Sequence, residues 1–143
     1  MNLVIDASVI IKAYVPEILS EKAEEVMSRL NSGELELLAP DLIYAETGNI
    51  LWKKRRLREL ESAEVDEIVD AIAALPIIIE QSLPIMPLSV SIAMHCNVSV
   101  YDAMYVAVAN LYKTRMITAD RRLVDALAKT EFHKNVLWLG EGI

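Results

Sequence analysis

A single cysteine, Cys96, stands in the 143 residues, so no disulfide can close within the chain, and the reducing interior of a cell suits it. Glycine (4) and proline (5) are scarce, which leaves little material for linkers or disordered tracts. Long apolar runs are missing as well. The longest, Ala71 to Ile79, is broken by Pro76 and falls far short of the ~20 residues a membrane-spanning helix needs. Asp6 interrupts the apolar run near the start, so a secretory leader is not expected; a cytoplasmic protein with no membrane partner is. Positive charge is also short. Fourteen Lys and Arg against 21 Asp and Glu leave a net charge of −7, the wrong sign for a general nucleic-acid coat protein.

What remains is material for a core. Hydrophobic residues make up 54% of the chain and charged residues 24%. A chain of this size buries roughly 68–70% of its unfolded surface, so one globular domain over residues 1–143 is expected. Short apolar runs alternate with amphipathic stretches. Leu3 to Ile5, Leu35 to Leu38, Ile77 to Ile79, Met116 to Thr118 and Val136 to Leu139 read as strands, several of them apolar on both faces. Ser20 to Leu30, Asp41 to about Arg56, Glu61 to Ala74, Ser89 to Cys96, Tyr101 to Tyr112 and Asp120 to Lys129 read as helices. Strands that alternate with helices need crossover connections, which points to a parallel sheet covered on both faces. Ligands of such sheets bind at the carboxyl ends of the strands. Chemistry should therefore sit just after Ile5 and just after Thr118.

Acidic residues occupy those places. Asp6 follows the first strand and Asp120 the fourth, and each is also a good helix N-cap. Asp102 lies three residues after Ser99, close to a capping-box spacing. Each of the three has an ordinary structural explanation when taken alone. Glu46 is different, because its helical neighbours are Leu42, Ile43 and Ile50, which puts a carboxylate inside the stripe facing the core. Burying it unpaired is costly, so it needs an arginine or other donor, a metal, or a catalytic task. Two carboxylates 5 Å apart repel by roughly 3 kcal/mol at an effective dielectric of 20. A hard divalent cation reverses the sign of that energy, and Mg²⁺ and Mn²⁺ prefer carboxylate, water and phosphate oxygens.

At these residues the chain resembles the PIN domain family, the nuclease fold of VapC-type toxins. The resemblance rests on Val4-Ile5-Asp6-Ala7-Ser8, on Pro40-Asp41-Leu42 with Glu46 and Asn49, on Val100-Tyr101-Asp102-Ala103, and on Thr118-Ala119-Asp120 with Leu123. It implies a three-layer α/β/α sandwich around a parallel sheet. It implies Asp6, Glu46, Asp102 and Asp120 as an acidic catalytic and metal-binding quartet, lined by Ser8, Asn49 and Thr118. The implied cofactor is Mg²⁺ or Mn²⁺, and the implied reaction is hydrolysis of RNA phosphodiesters. Implied partners are an RNA substrate, a second copy in a homodimer, and a small antitoxin protein that blocks the acidic groove.

Basic residues suited to RNA phosphates gather in Lys53, Lys54, Arg55, Arg56 and Arg58, starting about 10 Å along the helix from Glu46 at 1.5 Å per residue. A solvated helix end, favourable to the dipole, explains the same run equally well. Arg121 and Arg122 lie nearer the expected site. His95-Cys96 does not read as a nucleophile and base, since adjacent residues face different sides of a helix.

Other acid-bearing α/β designs fit less well. A phosphorelay receiver needs a second acid beside the first strand and a lysine after the last, and a haloacid-type phosphatase needs an aspartate where Ser8 stands. A PIN-fold housekeeping nuclease, and a PIN-fold protein that binds RNA or a partner without cutting, remain as alternatives.

Overall fold

The computed structural model describes residues 1–143. The elements in order are β1 (Asn2–Ile5), α1 (Ala7–Tyr14), α2 (Ser20–Asn31), β2 (Glu36–Pro40), α3 (Leu42–Arg56), α4 (Ser62–Ala73), β3 (Ile77–Glu80), α5 (Ser82–Cys96), α6 (Val100–Leu111), β4 (Met116–Thr118), α7 (Arg121–Leu127) and β5 (Val136–Trp138). Short 3₁₀ turns at Glu131–Asn135 and Leu139–Glu141 flank β5. The five strands form one sheet in the order β3-β2-β1-β4-β5, and every neighbouring pair is parallel.

The order explains the patterning. β1, β2 and β4 are interior strands, and Val4, Ile5, Leu37, Leu38, Met116 and Ile117 are fully buried, as strands covered on both faces must be. β3 lies at one edge, and its Ile78 is 42% exposed. Helix α6 crosses β1, β2 and β4 with α5 packed against it, while α1 packs on α2 and α3, and α4 on α3. Small residues Ala103, Ala107 and Ala109 keep α6 close to its neighbours, and all three are buried without exposure. One continuous cluster of 37 buried residues results. No single helix is long and apolar enough to cross a membrane.

All five expected strands are present. Two helices differ from expectation. The first is α1, which begins directly after Asp6 in a stretch whose residue pattern predicts no helix. Its Val9-Ile10-Ile11 run is β-branched and a poor helix former, but all three side chains are buried, and that burial outweighs propensity. The second is α5, which starts at Ser82 and not at Ser89. Pro84 falls in its first turn, where the missing N–H costs nothing, so only Pro87 removes a donor from the helix interior. At the end of α2, Gly33 takes φ +80 and nothing lies within 4 Å of where its Cβ would stand; the glycine there serves the left-handed turn alone.

Leu38 and Ile78 are register partners on β2 and β3, and they separate interior strand from edge strand. Leu38→Ala should destabilise the protein by about 2–5 kcal/mol, whereas Ile78→Ala should cost about 1 kcal/mol or less. Urea unfolding of the two variants measures both, and equal losses would contradict the strand order.

Candidate active site

The strand order reverses direction at β1. The chain moves from β1 to β2 and β3 on one side, then to β4 and β5 on the other. The crevice at the carboxyl ends of β1 and β4 is therefore a topological switch point, where open α/β sheets place their ligands.

Asp6 ends β1 and caps α1. Its Oδ1 accepts from the Val9 amide at 3.1 Å and the Ser8 hydroxyl at 2.6 Å. Its Oδ2 accepts from the Thr118 hydroxyl at 2.5 Å. Thr118 in turn accepts from the Asp120 amide at 3.0 Å, and Ser8 accepts from the Ala119 amide at 3.3 Å. Two hydroxyls thus tie the end of β1 to the end of β4. Asp6 is only 9% exposed. Burial pushes its carboxyl up to about 6, against the bonds from Ser8, Thr118 and Val9, and the charge of Glu46 pushes the same way.

Asp120 is exposed and caps α7 through Oδ1, which accepts from the amides of Arg122 at 3.0 Å and Leu123 at 3.4 Å. Oδ2 makes no hydrogen bond within the protein. Asp102 sits in the first turn of α6, where its amide donates to the Ser99 hydroxyl at 3.1 Å. The return bond of a full capping box, from the Ser99 amide to the carboxylate, is not made. Burial raises the Asp102 carboxyl, the Ser99 hydroxyl opposes that rise, and the Asp120 charge adds to it.

Glu46 is half-buried on α3, and its partner is not an arginine. The Tyr105 hydroxyl donates to Oε1 at 2.6 Å. Burial raises the Glu46 carboxyl, the Tyr105 bond lowers it, and the charge of Asp102 raises it. Tyr105 itself is 2% exposed. Burial and the bond to Glu46 hold its hydroxyl protonated far above the usual tyrosine range. Nothing in the apolar run Met104 to Ala109 marks Tyr105 for this role; the one available signal is its position one turn after Asp102 on the same helix face.

The four carboxylates form a chain of mutual repulsion, Glu46 acting on Asp6, Asp102 on Glu46 and Asp120 on Asp102. They form an arc and not a closed cage, for no three acidic, histidine or cysteine side chains surround a single point closely enough to hold an ion. None of the six ion pairs of the protein involves any of the four. Hard oxygen donors without a counter-cation, two of them sharing an open cavity of about 380 Å³ with Arg122 and Asn97, fit a divalent cation such as Mg²⁺ or Mn²⁺.

The other expected site residues divide. Ser8 and Thr118 belong to the hydrogen-bonded tie, while Asn49 is exposed on α3, one turn from Glu46, and makes no hydrogen bond through its side chain. The basic side chains of α3 take separate neighbours. Lys54 pairs with Glu17 and also with Glu59 at 3.4 Å. Arg55 donates to the Ser62 hydroxyl at 3.0 Å, and Arg56 stacks 4.8 Å from the Trp52 ring centre. Lys53 is exposed. Arg122 lines the cavity beside Asp102 and Asp120, and Arg121 lies 4.5 Å over the Trp138 ring.

The burial of Asp6 sets a pH dependence. Its folded pKa of about 6 exceeds the ordinary 3.8, so the folded state binds the proton more tightly. Stability therefore falls as pH rises from about 4 to about 6, and the full cost stands above that window, of order 3 kcal/mol at 1.36 kcal/mol per pKa unit. Asp6→Asn removes the titrating group. Without metal, its stability relative to wild type should climb between pH 4 and pH 7, as followed by urea unfolding; a flat difference would contradict the shift.

The PIN domain family model matches residues 3–129. Ribonuclease VapC3 of Pyrobaculum aerophilum is 36% identical over 129 residues, covering 87% of this chain and 94% of that protein. The crystal structure of PAE2754, also from Pyrobaculum aerophilum, superposes with a TM-score of 0.73 at 20% identity, covering 99% of this chain and 85% of that one. A toxin–antitoxin complex from Klebsiella pneumoniae contains a chain that superposes with a TM-score of 0.62 at 13% identity, covering 94% and 95%. With a family match over most of its length and that identity to a curated relative, this chain belongs to the PIN domain family.

Proposed function

We propose that the chain is a single-domain, divalent-metal-dependent endoribonuclease, the toxin of a toxin–antitoxin pair, with Asp6, Glu46, Asp102 and Asp120 as its active site. The observation that carries this reading is the line of carboxylates at the β1/β4 switch point, without a paired cation. The ribonuclease name of the 36% identical relative supports RNA as substrate. The neighbour solved as a toxin–antitoxin complex supports a small antitoxin partner.

Asp6, Asp102 and Asp120 would hold Mg²⁺ or Mn²⁺ singly or in pairs, with water and phosphate oxygens completing the shell, and the ion would supply the Lewis acidity that acidifies a water and offsets phosphate charge. Ser8 and Thr118 fix the Asp6 carboxylate in one orientation, so no reorganisation is needed when substrate arrives. Asp120 keeps Oδ2 available while Oδ1 caps α7. Tyr105 takes Oε1 of Glu46 and leaves Oε2 free to accept the proton of the attacking water. The water oxygen bonds to phosphorus, the bond to the leaving nucleotide oxygen breaks, and that oxygen gains a proton from solvent. Arg122, beside Asp102 and Asp120, is placed to meet a substrate phosphate.

A homodimer is part of the same reading. Leu83, Met86, Val90 and Met94 follow helical spacing along α5 and are 76%, 49%, 38% and 76% exposed. An exposed apolar stripe of that length supports a protein contact on this face. The cytoplasm, where RNA and an antitoxin meet, is the compartment this function requires.

Purified protein should cut single-stranded RNA with Mg²⁺ or Mn²⁺ and stop with chelator, and Asp6→Asn should lose roughly 100-fold or more in rate. A wild type inert with either metal, or an Asp6→Asn variant that cuts equally, would sink the proposal. Tyr105→Phe removes the hydrogen bond that lowers Glu46, so Glu46 must hold its proton to higher pH. The acidic limb of kcat against pH should move upward, and an unmoved limb would remove Glu46 from the proton-transfer role.

A further inference from the structure

The amino end of β4 carries a second open cavity, of about 660 Å³, and no hydrophobic residue lines it. Its walls are Asn110, Lys113, Thr114, Arg115, Lys134 and Asn135. Three of the 14 basic residues of a chain with net charge −7 thus meet in one pocket with no acid among them. None of the three takes part in an ion pair, although acids outnumber bases over the chain as a whole.

The floor is built and not fluid. Asn135 is 4% exposed; its Nδ2 donates to the Thr114 carbonyl at 3.0 Å, and its Oδ1 accepts from Asn110 Nδ2 at 3.3 Å. The Thr114 hydroxyl donates to the Asn2 carbonyl at 2.5 Å. Lys113 holds φ +54 at the end of α6, a left-handed conformation that few lysines adopt. These contacts fix the backbone beside each of the three cations. One Asn110 amide hydrogen also remains available beyond its bond to Asn135.

Position relates this pocket to the acidic arc. Arg115 directly precedes β4, and Asp120 follows it by one residue beyond Ala119, so the two lie at opposite ends of one short strand, at most about 18 Å apart by chain length. The neighbouring β5 is the last strand of the sheet. Lys134 stands just before it, and Trp138 at its far end lies under the Arg121 guanidinium at 4.5 Å. Cations therefore flank both ends of this sheet edge, with an aromatic ring at the end nearer the arc.

We infer that the Lys113–Arg115–Lys134 pocket is an exosite for backbone phosphates of a single RNA strand whose scissile bond lies at the acidic arc. The inference rests on the proposed nuclease activity for the placement of the scissile bond. The physical reason is charge. An acidic rim repels a polyanion until metal is bound, and a separate cationic pocket holds the strand through phosphates, without reading its sequence. Lysines and arginine on a fixed backbone suit that task, as does the absence of apolar lining.

The test compares wild type with the triple variant K113Q/R115Q/K134Q, all three being exposed side chains. In chelator, where no cutting occurs, binding of a long fluorescein-labelled single-stranded RNA is followed against salt. The variant should bind roughly 10- to 100-fold more weakly at 0.1 M salt, with a log–log salt slope shallower by about 2, since each single-strand phosphate contact contributes about 0.7. The same charge removed at Lys22, Arg29 and Lys129 should leave affinity and slope near wild type. With Mn²⁺, the triple variant should show a raised KM on the long RNA, an unchanged kcat, and unchanged cleavage of a dinucleotide, whose single phosphate cannot occupy both places. Equal losses in the two charge variants, or an unmoved slope in the pocket variant, would overturn the exosite. So would loss of inorganic phosphate binding without loss of RNA affinity. A wild type that never cuts refutes the nuclease reading, and the chelator arm still decides the pocket.

Discussion

The hydroxyl of Thr118 donates to Asp6 and accepts from the Asp120 amide, and the two strands meet there at the point where the sheet reverses its order. Ser8 repeats the arrangement between Asp6 and Ala119. Everything else at the rim depends on this tie. It lets a buried carboxylate keep its hydrogen bonds, it orients that carboxylate toward the crevice, and it sets the start of α7 so that Asp120 falls beside Asp102. An aspartate at the end of β1 without those two hydroxyls would be a buried charge with a single amide partner, which is costly.

Even so, the arrangement is held against its own electrostatics. Burial raises Asp6, Glu46 and Asp102, and each feels the charge of another member of the arc. Structural ion pairs would lower carboxyl pKa values, as the lysines do for Glu17 despite its burial. The rim shows the opposite behaviour, and that is a mark of sites retained for a ligand and not for stability. The core, with its continuous cluster of buried side chains, is what carries this cost. The proposed chemistry follows from the same facts, because a hard cation is the simplest partner for oxygen donors that repel one another.

Much of this was legible in the order of residues. The five short apolar runs became the five strands, since a strand buried on both faces admits little else. Glu46 stood out because an acid interrupted an apolar stripe. The helix α1 was hidden by Val9, Ile10 and Ile11, whose local preference opposes the conformation that their burial imposes. The first turns of α5 were hidden by two prolines, of which Pro84 sits where proline does no harm. Tyr105 was invisible because a tyrosine in an apolar helix reads as packing, and its partner lies 59 residues away. Lys54 looked free for the same reason, its partner Glu17 being 37 residues distant. Long-range partners of polar atoms are what a linear pattern cannot carry.

The central claim is that these carboxylates are crowded together without a paired cation in order to receive a divalent one. Calorimetric titration of the protein with Mn²⁺ at pH 6, in two buffers of different ionisation enthalpy, tests it directly. Asp6 is raised to about 6, so binding must expel protons, and the apparent enthalpy should differ between the buffers in proportion to their ionisation heats, with the difference shrinking by pH 8. Binding that releases no proton at pH 6, or no binding at all, would contradict the account.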